Sequence, residues 1–174
     1  MRARNSAREA ARHHQAGILV DAQLLLLLLV GEFDRTLIKR FKRTAGFEET
    51  DYDLMVEYVK HFRRILITPH ILTEIDNFAE GLKSQMEPFR RWLASDVLPR
   101  LRERSVQMRQ AAQEKCFPTL GLTDSASVSA VRRSGLVLTK DFDLWRHLSE
   151  QGLPVINFDH LRAEKYGWNA GFVR

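Results

Sequence analysis

The chain has 174 residues, of which 44% are hydrophobic and 28% charged, a balance typical of one globular domain and unlike that of a disordered chain. Its single cysteine, Cys116, excludes an internal disulfide and any zinc site built from several cysteines, and fits a cytoplasmic protein. The net charge of +5 suits a polyanionic partner such as a nucleic acid, and suits a generally basic surface equally well.

The first third of the chain predicts a basic arm, a buried strand and two helices. Residues 1–16 are basic with almost no large apolar side chain, which indicates a flexible arm or a frayed helix. The apolar run over residues 17–31 is shorter than the roughly 20 residues of a membrane span and is interrupted by Asp21. We therefore expect a strand over residues 17–20, a buried helix over residues 24–30 and no membrane association.

A second helix, over residues 34–44, carries a basic cluster. Its members are Lys39, Arg40, Lys42 and Arg43. The cluster is a candidate contact for a nucleic-acid backbone, with a solvated helix face as the alternative.

The middle of the chain predicts a strand between helices. Helical apolar spacing runs from Thr50 to residue 62, and a strand follows over residues 65–68. Pro69 suits the first turn of the next helix. Residues 82–115 read as a pair of helices separated by Pro99, packed beside the sheet.

The last third alternates helices with strands. A helix is expected from Thr123, strands over residues 136–139 and 154–157, and a helix over residues 142–150. This alternation predicts an α/β fold with a central, mostly parallel sheet. Residues 17–174 are accordingly expected to form one domain.

Four acidic residues lie where predicted strands or turns pass into helices: Asp21, Glu74, Asp124 and Asp141. The carboxyl ends of parallel strands meet at one edge of a sheet, so we expect the four carboxylates to share a pocket there. Clustered carboxylates oppose each other's ionisation unless a cation joins them, and Mg²⁺ and Mn²⁺ prefer oxygen ligands. The pattern predicts a metal-dependent phosphodiesterase.

Each acid also has an ordinary structural explanation. Asp21, Asp124 and Asp141 stand where side chains cap helices, and Glu74 suits a solvent-facing position. The spacing of His70 and Glu74 fits a shared metal, but a lone histidine ordinarily packs or caps.

The order of these motifs resembles that of the PIN-domain nucleases, the fold of many bacterial toxin ribonucleases. The resemblance covers roughly residues 17–162 and rests on the segments GILVDAQ, ILITPHILTE, LGLTDSAS, LVLTKDFDLW and GLPVI. It implies a PIN-like three-layer α/β/α sandwich, with an additional helical pair here. It also implies one or two Mg²⁺ or Mn²⁺ ions held by the four acids, which would be the catalytic residues.

Supporting roles can be assigned to four further residues. The resemblance implies that Thr139 lies near the metal and that Asp143 adds an outer acid. Asn77, one helical turn after the glutamate, is placed to support it. Gln23 stands where the family commonly has asparagine and retains the ability to hydrogen-bond.

The implied function is a metal-dependent endoribonuclease acting on RNA, with single-stranded DNA as an alternative substrate. An antitoxin protein and a second copy of the chain are the expected protein partners. The competing interpretation is a PIN fold that binds nucleic acid or protein without cutting. A phosphotransfer protein fits less well. A haloacid-dehalogenase-like phosphatase needs a second aspartate where this chain has Gln23. A receiver domain needs an acidic pair at its first strand, where this chain has only Asp21.

Overall fold

The structure is a computed structural model that describes residues 6–167. Its sheet has five strands in the order β3-β2-β1-β4-β5, and every neighbouring pair is parallel. The strands are β1 (Ile18–Val20), β2 (Ile65–Ile67), β3 (Arg102–Glu103), β4 (Leu136–Thr139) and β5 (Val155–Asn157). Helices flank the sheet, so the predicted three-layer α/β/α architecture is confirmed.

The described helices follow the strands in alternation. They are α1 (Ser6–His13), α2 (Ala22–Phe33), α3 (Leu37–Arg40), α4 (Glu49–Val59), α5 (Pro69–Ala79), α6 (Met86–Trp92), α7 (Met108–Ala112), α8 (Phe117–Val131), α9 (Phe142–Glu150) and α10 (Phe158–Tyr166). A 3₁₀ stretch, Glu80–Gln85, joins α5 to α6, and a π turn, Leu93–Val97, continues α6.

The core lies around β1, the central strand. All three of its residues are fully buried, as expected of a parallel strand covered on both faces. Gly17, at the entrance to β1, has φ +96°, and a Cβ there would lie 2.9 Å from the carbonyl oxygen of Arg64. Only glycine permits this backbone conformation and this close approach together, which fixes how β1 enters beside β2.

The chain reverses its direction of travel across the sheet at β1. It passes from β1 to β2 and β3 on one side, and then to β4 and β5 on the other. Such a reversal opens a crevice at the carboxyl ends of the two strands that flank it, here β1 and β4.

Residues 82–115 depart from the predicted pair of helices. The first helix, α6, is present, but the second does not begin near Leu98: a 3₁₀ turn and β3 come first, and α7 begins only at Met108. β3 has two exposed residues, Arg102 and Glu103, and pairs with β2 at the edge of the sheet. A short charged edge strand carries no apolar signal, which is why the sequence pattern missed it.

Residues 6–13, inside the predicted flexible arm, form helix α1. Ala10 and Glu9 are buried in it, and the hydroxyl of Tyr58 donates a hydrogen bond of 3.1 Å to the carbonyl oxygen of Ser6. Residues 6–13 therefore match the helical alternative expected for this segment, and the small Ala10 packs where a large apolar side chain is absent. Residues 1–5 and 168–174 lie outside the described part of the chain.

The basic helix predicted over residues 34–44 is reduced to the single turn α3. The hydroxyl of Thr44 donates to the carbonyl oxygens of Ile38 at 2.9 Å and of Phe41 at 3.3 Å, and takes the place of the next helical hydrogen bonds. Lys39 forms an ion pair with Glu48. The four basic side chains therefore do not line one helix face.

None of the helices within residues 6–167 has the length and apolarity needed to cross a membrane. The most apolar of them, α2, has 12 residues.

Candidate functional site

A cavity of about 260 Å³ opens at the carboxyl ends of β1 and β4, and all four predicted acids line it. Asp21 follows β1, Asp141 lies just after β4, Glu74 is on α5 and Asp124 is on α8. The other lining residues are Ala22, Gln23, Leu26, Arg43, Phe78, Thr123 and Ser127. The fold thus brings together acids that are far apart in sequence: Asp21 and Asp141 are separated by 120 positions.

Asp21 is the most constrained of the four acids. Its Oδ1 accepts a hydrogen bond of 2.8 Å from the backbone N–H of Leu24 and so caps α2. Its Oδ2 accepts from the backbone N–H of Lys140 at 2.9 Å and from the Thr139 hydroxyl. Burial raises the pKa of Asp21, these three hydrogen bonds oppose the rise, and the nearby charge of Asp141 adds to it. The carboxylate is therefore fixed in position by both β1 and β4.

Thr139, fully buried at the end of β4, connects two of the acids. Its hydroxyl donates to Asp21 and accepts a hydrogen bond of 2.9 Å from the backbone N–H of Asp141. Asp141 in turn caps α9, because its Oδ1 accepts from the N–H of Leu144 at 2.9 Å. Capping and lining the cavity are thus combined in the same side chains, rather than being alternatives.

Asp124 is placed differently, inside α8 rather than at its N-cap. The helix is kinked at Gly121, where φ is +79°, and Asp124 lies in the turn that follows. Burial, followed by the charges of Asp141, Asp21 and Glu74, raises the pKa of Asp124 to about 7. The negative charges of the other three carboxylates therefore act on Asp124 across the cavity and disfavour its ionisation.

Arg43 is the only basic residue among the described residues that line the cavity. Its guanidinium carbon lies 4.6 Å from the centroid of the Phe78 ring, a cation–π contact that orients the group at the cavity wall. Of the predicted basic cluster, only this member lines the cavity; Lys39, Arg40 and Lys42 do not.

Two of the four predicted supporting residues are at the site and two are not. Gln23 lines the cavity and Thr139 holds Asp21. Asn77 is exposed and does not line the cavity; Phe78, the next residue on α5, does. Asp143 is exposed and pairs with Arg146 three residues later at 2.9 Å. His70 does not line the cavity either.

Sequence reasoning missed several lining residues that helical spacing would have found. Phe78 follows Glu74 by four positions, and Ser127 follows Asp124 by three, so each shares a helix face with an acid. The hydroxyl of Ser127 donates a hydrogen bond of 3.0 Å to the carbonyl oxygen of Thr123, which also lines the cavity.

The lining fits a hard divalent cation in its chemistry. Four carboxylates supply oxygen ligands, and the pKa of Asp124 is raised first by burial and then by repulsion from the other acids, which a cation would relieve. Within residues 6–167, however, no three or more Asp, Glu, His or Cys side chains converge as a formed coordination group. Cation binding therefore requires Asp124 to lose its proton and the side chains to draw together.

No model of a known protein family matches this chain, and no curated protein and no solved structure is significantly similar to it. The shared cavity of the four acids is therefore the principal guide to function.

Proposed function

We propose that this protein is a metal-dependent nuclease of the PIN type, which hydrolyses phosphodiester bonds in RNA. The observation that carries the proposal is the lining of one cavity by acids from four separate elements, beside the crevice where α/β folds bind ligands. Single-stranded DNA is the alternative substrate. An antitoxin and a second copy of the chain are proposed as partners from the resemblance to toxin nucleases.

The residues have distinct roles in this proposal. Asp21, held by three hydrogen bonds, is the fixed carboxylate around which Glu74, Asp124 and Asp141 adjust. A bound Mg²⁺ or Mn²⁺ ion would supply hydroxide near neutral pH and offset charge on the phosphate oxygens. Arg43 presents a planar fork of N–H donors that matches a phosphate group, and it would hold the substrate at the cavity wall.

A binding module that does not cleave is the second candidate. The observation that favours it is the lack, within residues 6–167, of a converged group of three metal-ligating side chains. In that case Arg43 and the basic surface would bind a nucleic acid that the acids leave intact.

The test is a cleavage assay on RNA and on single-stranded DNA with Mn²⁺ or with EDTA, comparing the parent with Asp124→Asn and Asp143→Asn. We expect Mn²⁺-dependent cleavage that Asp124→Asn reduces roughly a hundredfold or more, since a lost ligand removes several kcal/mol of transition-state stabilisation. Asp143→Asn is the matched control, an exposed acid near the same sheet edge that does not line the cavity. Binding without cleavage in Mn²⁺ would favour the second candidate, and equal activity in both variants would refute the site.

A further inference from the structure

Two aromatic rings lie on α9, the helix that the cavity residue Asp141 caps. Phe142 follows the cavity residue Asp141, and Trp145 lies one turn later on α9, with the two ring centroids 5.3 Å apart and the ring planes at 39°. Trp145 is supported from behind by the ring of His160 on α10, at 5.0 Å and nearly perpendicular. We refer to Phe142 and Trp145 as the aromatic platform.

The exposure of Phe142 is not explained by packing of the fold. α9 is anchored in the core by Leu144 and Leu148, both fully buried, while Phe142 is 58% exposed. No other Phe, Tyr or Trp ring within residues 6–167 is as exposed; Tyr166 follows at 45% and Phe117 at 37%. Because the open Phe142 ring adjoins Trp145, the start of α9 presents a surface of two rings rather than one scattered apolar side chain.

A guanidinium group extends the flat surface of the platform. The guanidinium of Arg146 lies over the Phe142 ring, 5.9 Å from its centroid, and pairs with Asp143 at 2.9 Å. Lys140 pairs with Asp159 at 3.6 Å, so the charges of Asp143 and Asp159 are balanced by neighbouring cations. Aromatic rings and guanidinium planes are the groups on which proteins stack the bases of single-stranded nucleic acids.

We propose that the aromatic platform is a base-stacking subsite for single-stranded nucleic acid. Phe142 directly follows Asp141 in the chain, with Cα atoms about 3.8 Å apart, so a strand with a phosphate beside Asp141 passes close to the platform. The position of that phosphate rests on the proposed function, whereas base stacking on the platform requires no cleavage. A duplex keeps its bases stacked on each other, so the platform selects unpaired strands.

The experiment measures binding of a fluorescent oligothymidylate, and of an abasic strand of equal length, with Ca²⁺ in place of Mn²⁺ so that a hard cation neutralises the cavity carboxylates, and each strand is checked for cleavage. The proteins are the parent, Phe142→Ala, Phe142→Tyr and Tyr166→Ala, the last a change of an exposed ring on α10. Removing a stacked ring costs about 1–3 kcal/mol per base, so Phe142→Ala is expected to bind the oligothymidylate roughly five- to 150-fold more weakly. Phe142→Tyr and Tyr166→Ala are expected to bind as the parent does, and the abasic strand is expected to bind parent and Phe142→Ala equally.

Equal affinity of the parent and Phe142→Ala for the oligothymidylate would overturn the proposal. A change in oligomeric state with unchanged strand binding would also overturn it, and would identify the platform as a protein interface. The two proposals can fail separately. If the parent never cleaves but Phe142→Ala weakens strand binding, the subsite is supported and the nuclease is refuted. If the parent cleaves and Phe142→Ala binds and cleaves equally well, the nuclease is supported and the subsite is refuted.

Discussion

The hydroxyl group of Thr139 links two of the acids that line the cavity. It donates to Asp21 and accepts from the N–H of Asp141, so it joins the residue after β1 to the helix cap of α9. Thr139 and Asp21 are both buried, and an unpaired polar group there is costly. The precise spacing of two acids therefore depends on a neutral side chain that cannot ligate a metal strongly.

Replacing Thr139 by valine tests this dependence, because valine keeps the shape and removes the hydroxyl. We expect a loss of about 1–3 kcal/mol in the free energy of unfolding, since the N–H of Asp141 loses its acceptor and Asp21 loses a donor. Urea unfolding at pH 7 measures the change. Thr139→Ser, which keeps the hydroxyl and removes one methyl group, is expected to lose about 1 kcal/mol or less. Equal losses in the two variants would show that the hydroxyl does not matter.

Secondary-structure elements with a regular apolar pattern were predicted from the sequence, and those that depend on contacts with distant residues were missed. β4 and α9 have the predicted bounds, because a continuous apolar run ends at an aspartate that caps the next helix. β3 was missed because its two exposed residues become a strand only through pairing with β2. The cavity shows a similar limit: helical spacing offers both Asn77 and Phe78 as neighbours of Glu74, and the packing of α5 decides that Phe78 lines the wall.

The contact between α2 and α4 gives a second prediction. A Cβ added at Gly31 of α2 would lie 2.3 Å from the Cδ2 atom of Tyr52 on α4, so the ring would have to move away from the Arg35 guanidinium 5.2 Å from its centroid. Gly→Ala inside a helix ordinarily stabilises by about 0.5–1 kcal/mol. Here we expect Gly31→Ala to destabilise by about 1–3 kcal/mol through overpacking, measured by urea unfolding.

The control for that substitution is Gly46→Ala. No atom lies within 4 Å of a Cβ at Gly46, and its φ is not positive. The free energy of unfolding is expected to stay within about 0.5 kcal/mol of the parent. A stabilised Gly31→Ala variant would mean that Tyr52 moves aside freely and that the two helices are not in tight contact.

The whole molecule combines opposite charges on its surface and in its cavity. The chain carries a net charge of +5, yet one arginine faces four acids in the cavity. A basic surface attracts a polyanion, and an acidic cavity repels it until protons or cations neutralise the carboxylates. The protonation state of Asp124 therefore links the free energy of unfolding to the protons or cations that the cavity binds.

The last prediction measures that link through pH. The pKa of Asp124 is about 7 in the folded chain and 3.8 for an unperturbed aspartate, so the native state binds the extra proton between these values. The stability that this group contributes is complete below pH 4 and is lost as the pH rises towards 7. Between pH 5 and pH 7 the loss is about 2 kcal/mol, and Asp124→Asn should lack it. We therefore expect the difference in the free energy of unfolding between parent and variant to change by that amount in metal-free urea unfolding.

At pH 7.5, Mn²⁺ at a hundred times its dissociation constant should restore about 2.7 kcal/mol to the free energy of unfolding of the parent and less to that of the variant. Parallel pH profiles for the two proteins would mean that Asp124 is not held among unneutralised carboxylates, and a parent indifferent to Mn²⁺ would count against the metal site.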